Sequence, residues 1–107
     1  MSSRLDQLRA LLADEPRDTF LRYTIALELK RLDRTDEALA DLEALVRDEP
    51  KHIATYYQLA TMLAEAGRTK EAIEACEAGA LQCIVAGDQK TRAELLGLKE
   101  SLEEEQA

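Results

Sequence analysis

Residues 16–49, PRDTFLRYTIALELKRLDRTDEALADLEALVRDE, and residues 50–83, PKHIATYYQLATMLAEAGRTKEAIEACEAGALQC, are two copies of one pattern set 34 positions apart. Ten aligned positions are identical: Pro16/Pro50, Tyr23/Tyr57, Ala26/Ala60, Leu29/Leu63, Arg34/Arg68, Thr35/Thr69, Glu37/Glu71, Ala38/Ala72, Glu43/Glu77 and Ala44/Ala78. The same offset works backwards. Residues 5–16 match 39–50 at seven of twelve positions, through Leu5/Leu39, Leu8/Leu42, Ala10/Ala44, Leu11/Leu45, Asp14/Asp48, Glu15/Glu49 and Pro16/Pro50. The chain thus opens with half a unit, continues through two whole units and closes with a different tail. A fixed period of this length is the mark of a repeat architecture.

Within a unit the apolar period is helical. Leu21, Ile25, Leu29 and Leu32 recur at spacings of three and four, and Leu39, Leu42, Leu45 and Val46 resume the rhythm after Asp33-Arg34-Thr35. The second copy repeats this with Tyr56, Leu59, Ala60 and Leu63, then Gly67-Arg68-Thr69, then Ala72, Ile73, Cys76 and Ala80. Thr35 and Thr69 stand where an N-cap oxygen is expected, with acids in the following turn. Gly67 suits the left-handed residue that ends a helix, and Asp33, its counterpart, belongs to the few non-glycine types that tolerate that conformation. Each unit therefore reads as an antiparallel helix pair closed by a tight turn, with a proline at the boundary.

The period, together with small residues in register, resembles the tetratricopeptide repeat family. The family pattern runs aromatic-x2-Leu-Gly-x2-Tyr, then Ala-x3-Phe, then Pro. The second unit offers Tyr56-x2-Leu59-Ala60-x2-Leu63 and Ala72-x3-Cys76; the first offers Arg22-x2-Ile25-Ala26-x2-Leu29, Ala38-x3-Leu42 and Pro50. Arg22 departs from the aromatic, Leu29 and Leu63 depart from tyrosine, and the second unit lacks its closing proline. The resemblance spans residues 5–85 and implies an all-α fold, antiparallel helix-turn-helix repeats stacked as a short right-handed α-solenoid of six helices. Residues 1–107 would form a single domain: a half-repeat helix at 3–15, repeat 1 at 16–49, repeat 2 at 50–86 and a C-terminal capping helix at 88–104. In the tail, Asp88 is placed to cap the last helix, whose apolar positions are Ala93, Leu95, Leu96, Leu98 and Leu102. Glu103–Glu105 oppose the dipole at its end, so fraying is expected there. Both ends carry a covering helix, as an isolated stack requires. With the Met1 start, this reads as a complete small protein.

Composition narrows the job. The 22 acidic residues against 14 Lys and Arg give a net charge of −8, which disfavours nucleic acid and anionic membrane as partners. The N-terminus has no apolar signal region, and the most apolar stretch, 78–87, is far short of the roughly 20 residues a membrane span needs. A cytoplasmic location follows as the expectation. Cys76 and Cys83 lie seven apart on one helix, about 10 Å along its axis at about 1.5 Å per residue, too far for a disulfide. They read as buried structural thiols. The one histidine, His52, reads as a solvated turn residue. Nothing here supplies a nucleophile with its base, a phosphate-cradling loop or a metal set. The chain reads as a non-enzyme with no cofactor.

What remains is surface. In the family the first helix of each pair lines a concave groove that holds a partner's peptide or helix. By matching register the resemblance assigns Phe20, Tyr23, Thr24, Leu27, Lys30 and Arg31 of the first unit and Tyr57, Gln58 and Thr61 of the second to that groove. Phe20, Tyr23 and Leu27 form an apolar stripe on a different side of the helix from Leu21, Ile25 and Leu29. Some members clamp a chaperone-tail carboxylate with Asn and Lys or Arg on these helices; Thr24 and Gln58 stand where Asn is required, which argues against that activity. The expected role is a protein–protein scaffold or adaptor. The alternative is a structural subunit that self-associates, as a homo-oligomer, through its helix ends or groove.

Overall fold

A computed structural model describes residues 3–106. Among the described residues there are six helices and no strand: α1 (Arg4–Asp14), α2 (Thr19–Arg31), α3 (Thr35–Asp48), α4 (Ala54–Glu65), α5 (Thr69–Ala86) and α6 (Gln89–Gln106). The fold is an all-α helical repeat. The chain forms two compact units, the first ending at Glu49 and the second starting at Pro50. In the first, α2 packs on α1 and α3; in the second, α5 packs on α4 and α6.

The helix ends follow from local chemistry. Ser3 and Asp6 form a reciprocal capping box on α1: Asp6 N donates to Ser3 Oγ at 3.1 Å and Ser3 N to Asp6 Oδ2 at 3.4 Å, satisfying backbone donors that the helix cannot. Asp18 caps α2, accepting from Leu21 N at 2.9 Å. Asp33 and Gly67 both adopt positive φ, 59° and 79°. Each reverses the chain, so that Arg34 N donates to Leu29 O and Arg68 N to Leu63 O, both at 2.9 Å. This is the wrap-around bond expected of a left-handed helix end.

The expected threonine caps are not formed. Arg34 and Arg68 occupy the cap positions without a side-chain cap bond, and Thr35 and Thr69 are the first helical residues. The reversal at Asp33 and Gly67 consumes one residue more than a threonine cap would. The arginines instead reach forward: Arg34 forks onto Glu37 at 2.5 and 2.8 Å, and Arg68 onto Glu71 at 2.9 and 2.5 Å. These bonds hold the Glu37 and Glu71 carboxyls below the usual carboxylate range. They also explain why the arginine and the glutamate are identical in both copies.

Ala26, Ala38, Ala60 and Ala72 are fully buried, as close crossing of paired helices requires. Around them the first unit buries Leu5, Leu8, Ile25, Leu29, Leu39, Leu42 and Leu45, and the second Tyr56, Leu59, Met62, Leu63, Cys76, Cys83, Leu95 and Leu102. Leu21, in the first turn of α2, is only half-buried and Leu32, its C-cap residue, is exposed, while Ile25 and Leu29 in the middle of the same side are buried. On α6 the packed side runs through Leu95 and Leu102, and Ala93 is exposed. Gly87 (φ 73°) ends α5, Asp88 Oδ1 accepts from Thr91 N at 3.0 Å, and α6 continues through Glu103–Glu105 to Gln106. His52 is half-buried, not solvated: its Nδ1 lies 2.7 Å from Oγ1 of the fully buried Thr55 and shares a hydrogen bond with it. Both cysteines are free and buried; burial, first, and the neighbouring Glu77 push the Cys76 thiol up to about 11.

Gly79 has no precedent in the first unit. A Cβ built there would lie 2.6 Å from Tyr56 Cβ and 2.9 Å from Leu95 Cδ1, so α4, α5 and α6 meet closely over a bare backbone. Its counterpart is Leu45, fully buried. A glycine inside a helix costs about 1 kcal/mol against alanine, and that cost was the readable sign of a close approach.

Candidate binding faces

The residues assigned to partner binding sit on α2 in the first unit and on α4 in the second. On α2, Phe20 is 69% exposed; Tyr23, Thr24, Leu27 and Lys30 are half-buried. On α4, Tyr57 is 38% exposed, and Gln58 and Thr61 are half-buried beside it. Phe20, Thr24 and Leu27 follow one another at helical spacings, so one side of α2 presents an aromatic ring, a small residue and an aliphatic one to solvent. Tyr57 and Thr61, four apart, do the same on α4.

The threonine hydroxyls are occupied. Thr24 Oγ1 donates to Phe20 O at 2.8 Å, and Thr61 Oγ1 to Tyr57 O at 2.8 Å and Gln58 O at 3.0 Å. Each hydroxyl hydrogen is spent on its own helix, so these threonines offer a partner an acceptor and not a donor.

Arg31 is not a free anchor. Its Nε donates to Glu28 Oε1 at 2.8 Å, and its Nη2 bonds the same oxygen. Arg4 Nε, on α1, approaches Glu28 Oε2 at 3.3 Å. Glu28 itself is buried, its side chain 5% exposed, while those of Arg4 and Arg31 are mostly exposed. The Arg31 hydrogen bond, followed by the charges of Arg31 and Arg4, overcomes desolvation and holds the Glu28 carboxyl below the usual range. Arg31 thus neutralises a buried carboxylate while presenting only the remainder of its guanidinium. Glu28 was not foreseen: a single acid between Leu27 and Leu29 carries no signal unless its partner on another helix is known.

No helix among the described residues is long and apolar enough to cross a membrane. No group of three or more His, Cys, Asp or Glu among them could hold a metal ion.

No family model matches the chain, and no curated protein does. Solved structures do. A tetratricopeptide repeat domain protein from Salinibacter ruber is 35% identical over 82% of this chain and 89% of that one, with a TM-score of 0.79. A Bordetella parapertussis protein is 27% identical, covers 98% of this chain and 91% of its own, and has a TM-score of 0.82. The TPR2B domain of yeast Sti1, solved in complex with pHsp70, shares the fold at 18% identity and a TM-score of 0.84, with 94% of this chain and 81% of that one covered. The 34-residue period, the paired helices with alanines at their crossings and the likeness to the Salinibacter domain converge on one conclusion: the chain belongs to the tetratricopeptide repeat family.

Proposed function

We propose that the protein is an adaptor that binds a peptide or helical segment of a protein partner through the first-helix faces of its repeats. The residues are Phe20, Tyr23, Thr24, Leu27, Lys30 and Arg31 on α2 and Tyr57, Gln58 and Thr61 on α4. The observation that carries this reading is the exposure of Phe20 and Tyr57 on sides of α2 and α4 that their own cores do not use. Aromatic side chains left at a surface are the usual anchors of recognition, because they bring large contact area at little entropic cost. The yeast relative solved with pHsp70 supports a protein or peptide as the class of partner. The role is non-enzymatic and cytoplasmic, with neither nucleic acid nor membrane as partner. The test is a pull-down from native extract with wild-type and Phe20→Ser/Tyr57→Ala bait. Arg31 is left intact because removing it would strand Glu28. The variant should melt like wild type, within the roughly 0.5 kcal/mol typical of surface changes, and lose the captured partners. Capture of the same set would remove these faces from consideration.

A second reading, self-association, is favoured by one feature. Leu81, Ile84 and Val85 stand together on the outer side of α5, Val85 79% exposed. The corresponding residues of the first copy are Arg47, Pro50 and Lys51. If this patch joins copies of the chain, sedimentation velocity should show mass rising with concentration, and Val85→Lys should abolish the rise.

A further inference from the structure

The outer side of α5 is apolar toward its end: Leu81 is 65% exposed, Ile84 59% and Val85 79%. α5 is 18 residues long where its counterpart α3 has 14, and the first copy carries Arg47, Pro50 and Lys51 at these three positions. The stripe therefore belongs to the second unit and not to the repeat. Glu74, Ala78, Leu81 and Val85, all exposed, follow one another four, three and four residues apart, within about 60° of arc and about 17 Å of axis. They run from an acid into the apolar stretch. At the far end Ile84 borders a cavity of about 200 Å3 that it shares with Cys83, Gly87, Gln89 and Arg92. The side chains of Glu74 and Arg92 take part in no hydrogen bond or ion pair among the described residues. One face thus carries a free acid at one end, an apolar middle and a free base at the other.

We infer that this face pairs with itself in a second copy of the chain: the two α5 helices lie antiparallel about a two-fold axis near Leu81, and each Glu74 carboxylate meets Arg92 of the other copy. The inference rests on the self-association reading above and gives that contact its orientation and its charge pairs. Antiparallel placement about Leu81 sets position 74 opposite position 88, so the acid of one copy arrives at the cavity that Arg92 lines, and the apolar stretches cover each other. A parallel pair would set Glu74 on Glu74 and Arg92 on Arg92, which repel. A guanidinium can fork onto a carboxylate, and the Gln89 amide is a further donor at the cavity. Asp88, in the same segment, is already held by Thr91 N at 3.0 Å. A two-fold contact uses the same patch on both copies and closes at two. Helices meeting over about 17 Å bury less than the roughly 1,600 Å2 of a standard interface. The dimer is accordingly weak, with a dissociation constant on the order of 0.1 mM.

Sedimentation velocity of the full chain over a concentration series tests it. Wild type should pass from monomer to dimer and stop there. Glu74→Arg and Arg92→Glu should each weaken association about tenfold, although they move the net charge in opposite directions. Mixing the two variants should yield a heterodimer as tight as the wild-type pair, because both edges again join opposite charges. The double variant Glu74→Arg/Arg92→Glu should dimerise like wild type for the same reason, which a parallel pair could not do. If Arg92→Glu fails to fold, Glu74→Arg alone still decides. A wild type that dimerises, loses the dimer in Val85→Lys and is indifferent to the charge variants would overturn the antiparallel pairing and leave self-association standing. Growth beyond a dimer would likewise overturn the closed pair. A wild type that stays monomeric at every concentration would overturn both, and would hand the stripe to a protein of different sequence.

Discussion

The two units solve the same packing problem with different chemistry. At three positions related by the repeat, the first unit carries Arg22, Glu28 and Leu45 where the second carries Tyr56, Met62 and Gly79. The second unit brings its helices together: a ring lies over a bare glycine and a methionine fills the interior. The first keeps a leucine at the glycine position and pairs its half-buried arginine with Asp48. It buries a carboxylate that two exposed arginines neutralise. Ten identities preserve helix ends and crossings, while the space between helices is filled by a different rule in each copy. A repeat therefore fixes where helices begin, turn and cross, and leaves the filling of the gap negotiable.

Exchanging residues between the copies tests that statement, and the largest effect should come from Tyr56→Arg. It would place a guanidinium in a buried position whose acidic partner is missing, because Gln82 stands where the first unit has Asp48. A loss of about 3–5 kcal/mol in urea unfolding is expected, as for an unpaired buried charge. A loss below about 1 kcal/mol would mean that the gap adapts freely. Next comes Gly79→Ala. Its Cβ overlaps the Tyr56 side chain, so about 1–3 kcal/mol should be lost even though alanine favours the helix. A gain in stability would show that the helices separate at no cost.

Glu28→Met makes the first unit resemble the second at its ionic site, and its signature is pH. The folded-state carboxyl lies below its ordinary value. Its contribution is therefore present above the unfolded pKa and is lost as pH falls through the depressed folded value. Wild type should lose melting temperature in acid more steeply than Glu28→Met, and identical slopes would discount the buried ion group. The smallest effect belongs to Arg22→Ala. The Arg22 side chain is half-buried and that of Asp48 half exposed, so the cost should be about 1 kcal/mol. A loss of several kcal/mol, measured by the same urea titration, would mean that the pair behaves as a buried one.

The contrast also marks what the sequence made legible. Helix order, the left-handed turns at Asp33 and Gly67, the buried alanines and cysteines and the Asp88 cap follow from spacing and residue type, since each is a local or periodic property. The Thr35 and Thr69 caps do not form because Arg34 and Arg68, just after the left-handed residues, take the cap positions and leave the threonines inside the helices. Leu32 is in register with Ile25 and Leu29 but stands at the C-cap of α2, where it is exposed, and Ala93 lies about 160° around α6 from Leu95, on the solvent side. Glu28 and Gly79 are defined by atoms on other helices, Arg4 in one case and Tyr56 with Leu95 in the other, and periodicity holds no record of them. Of the binding residues, the exposure of Phe20 could be anticipated from its stripe and that of Tyr57 from its register in the repeat, but the engagement of Arg31 with a buried acid could not.

The arginine forks at Arg34–Glu37 and Arg68–Glu71 also bear on how the protein comes into being. Starting a helix is its most expensive step, because several residues must be ordered for the first backbone bond. A fork spanning three residues closes that turn with groups already adjacent in the chain, before any distant contact exists. The left-handed residue just upstream then directs the new helix back along the preceding one, so partners meet at short sequence separation, the condition for rapid folding. Each hairpin of helices would thus have its nucleus written into Arg-x-x-Glu, ready to form as the chain leaves the ribosome and before the next unit has been synthesised.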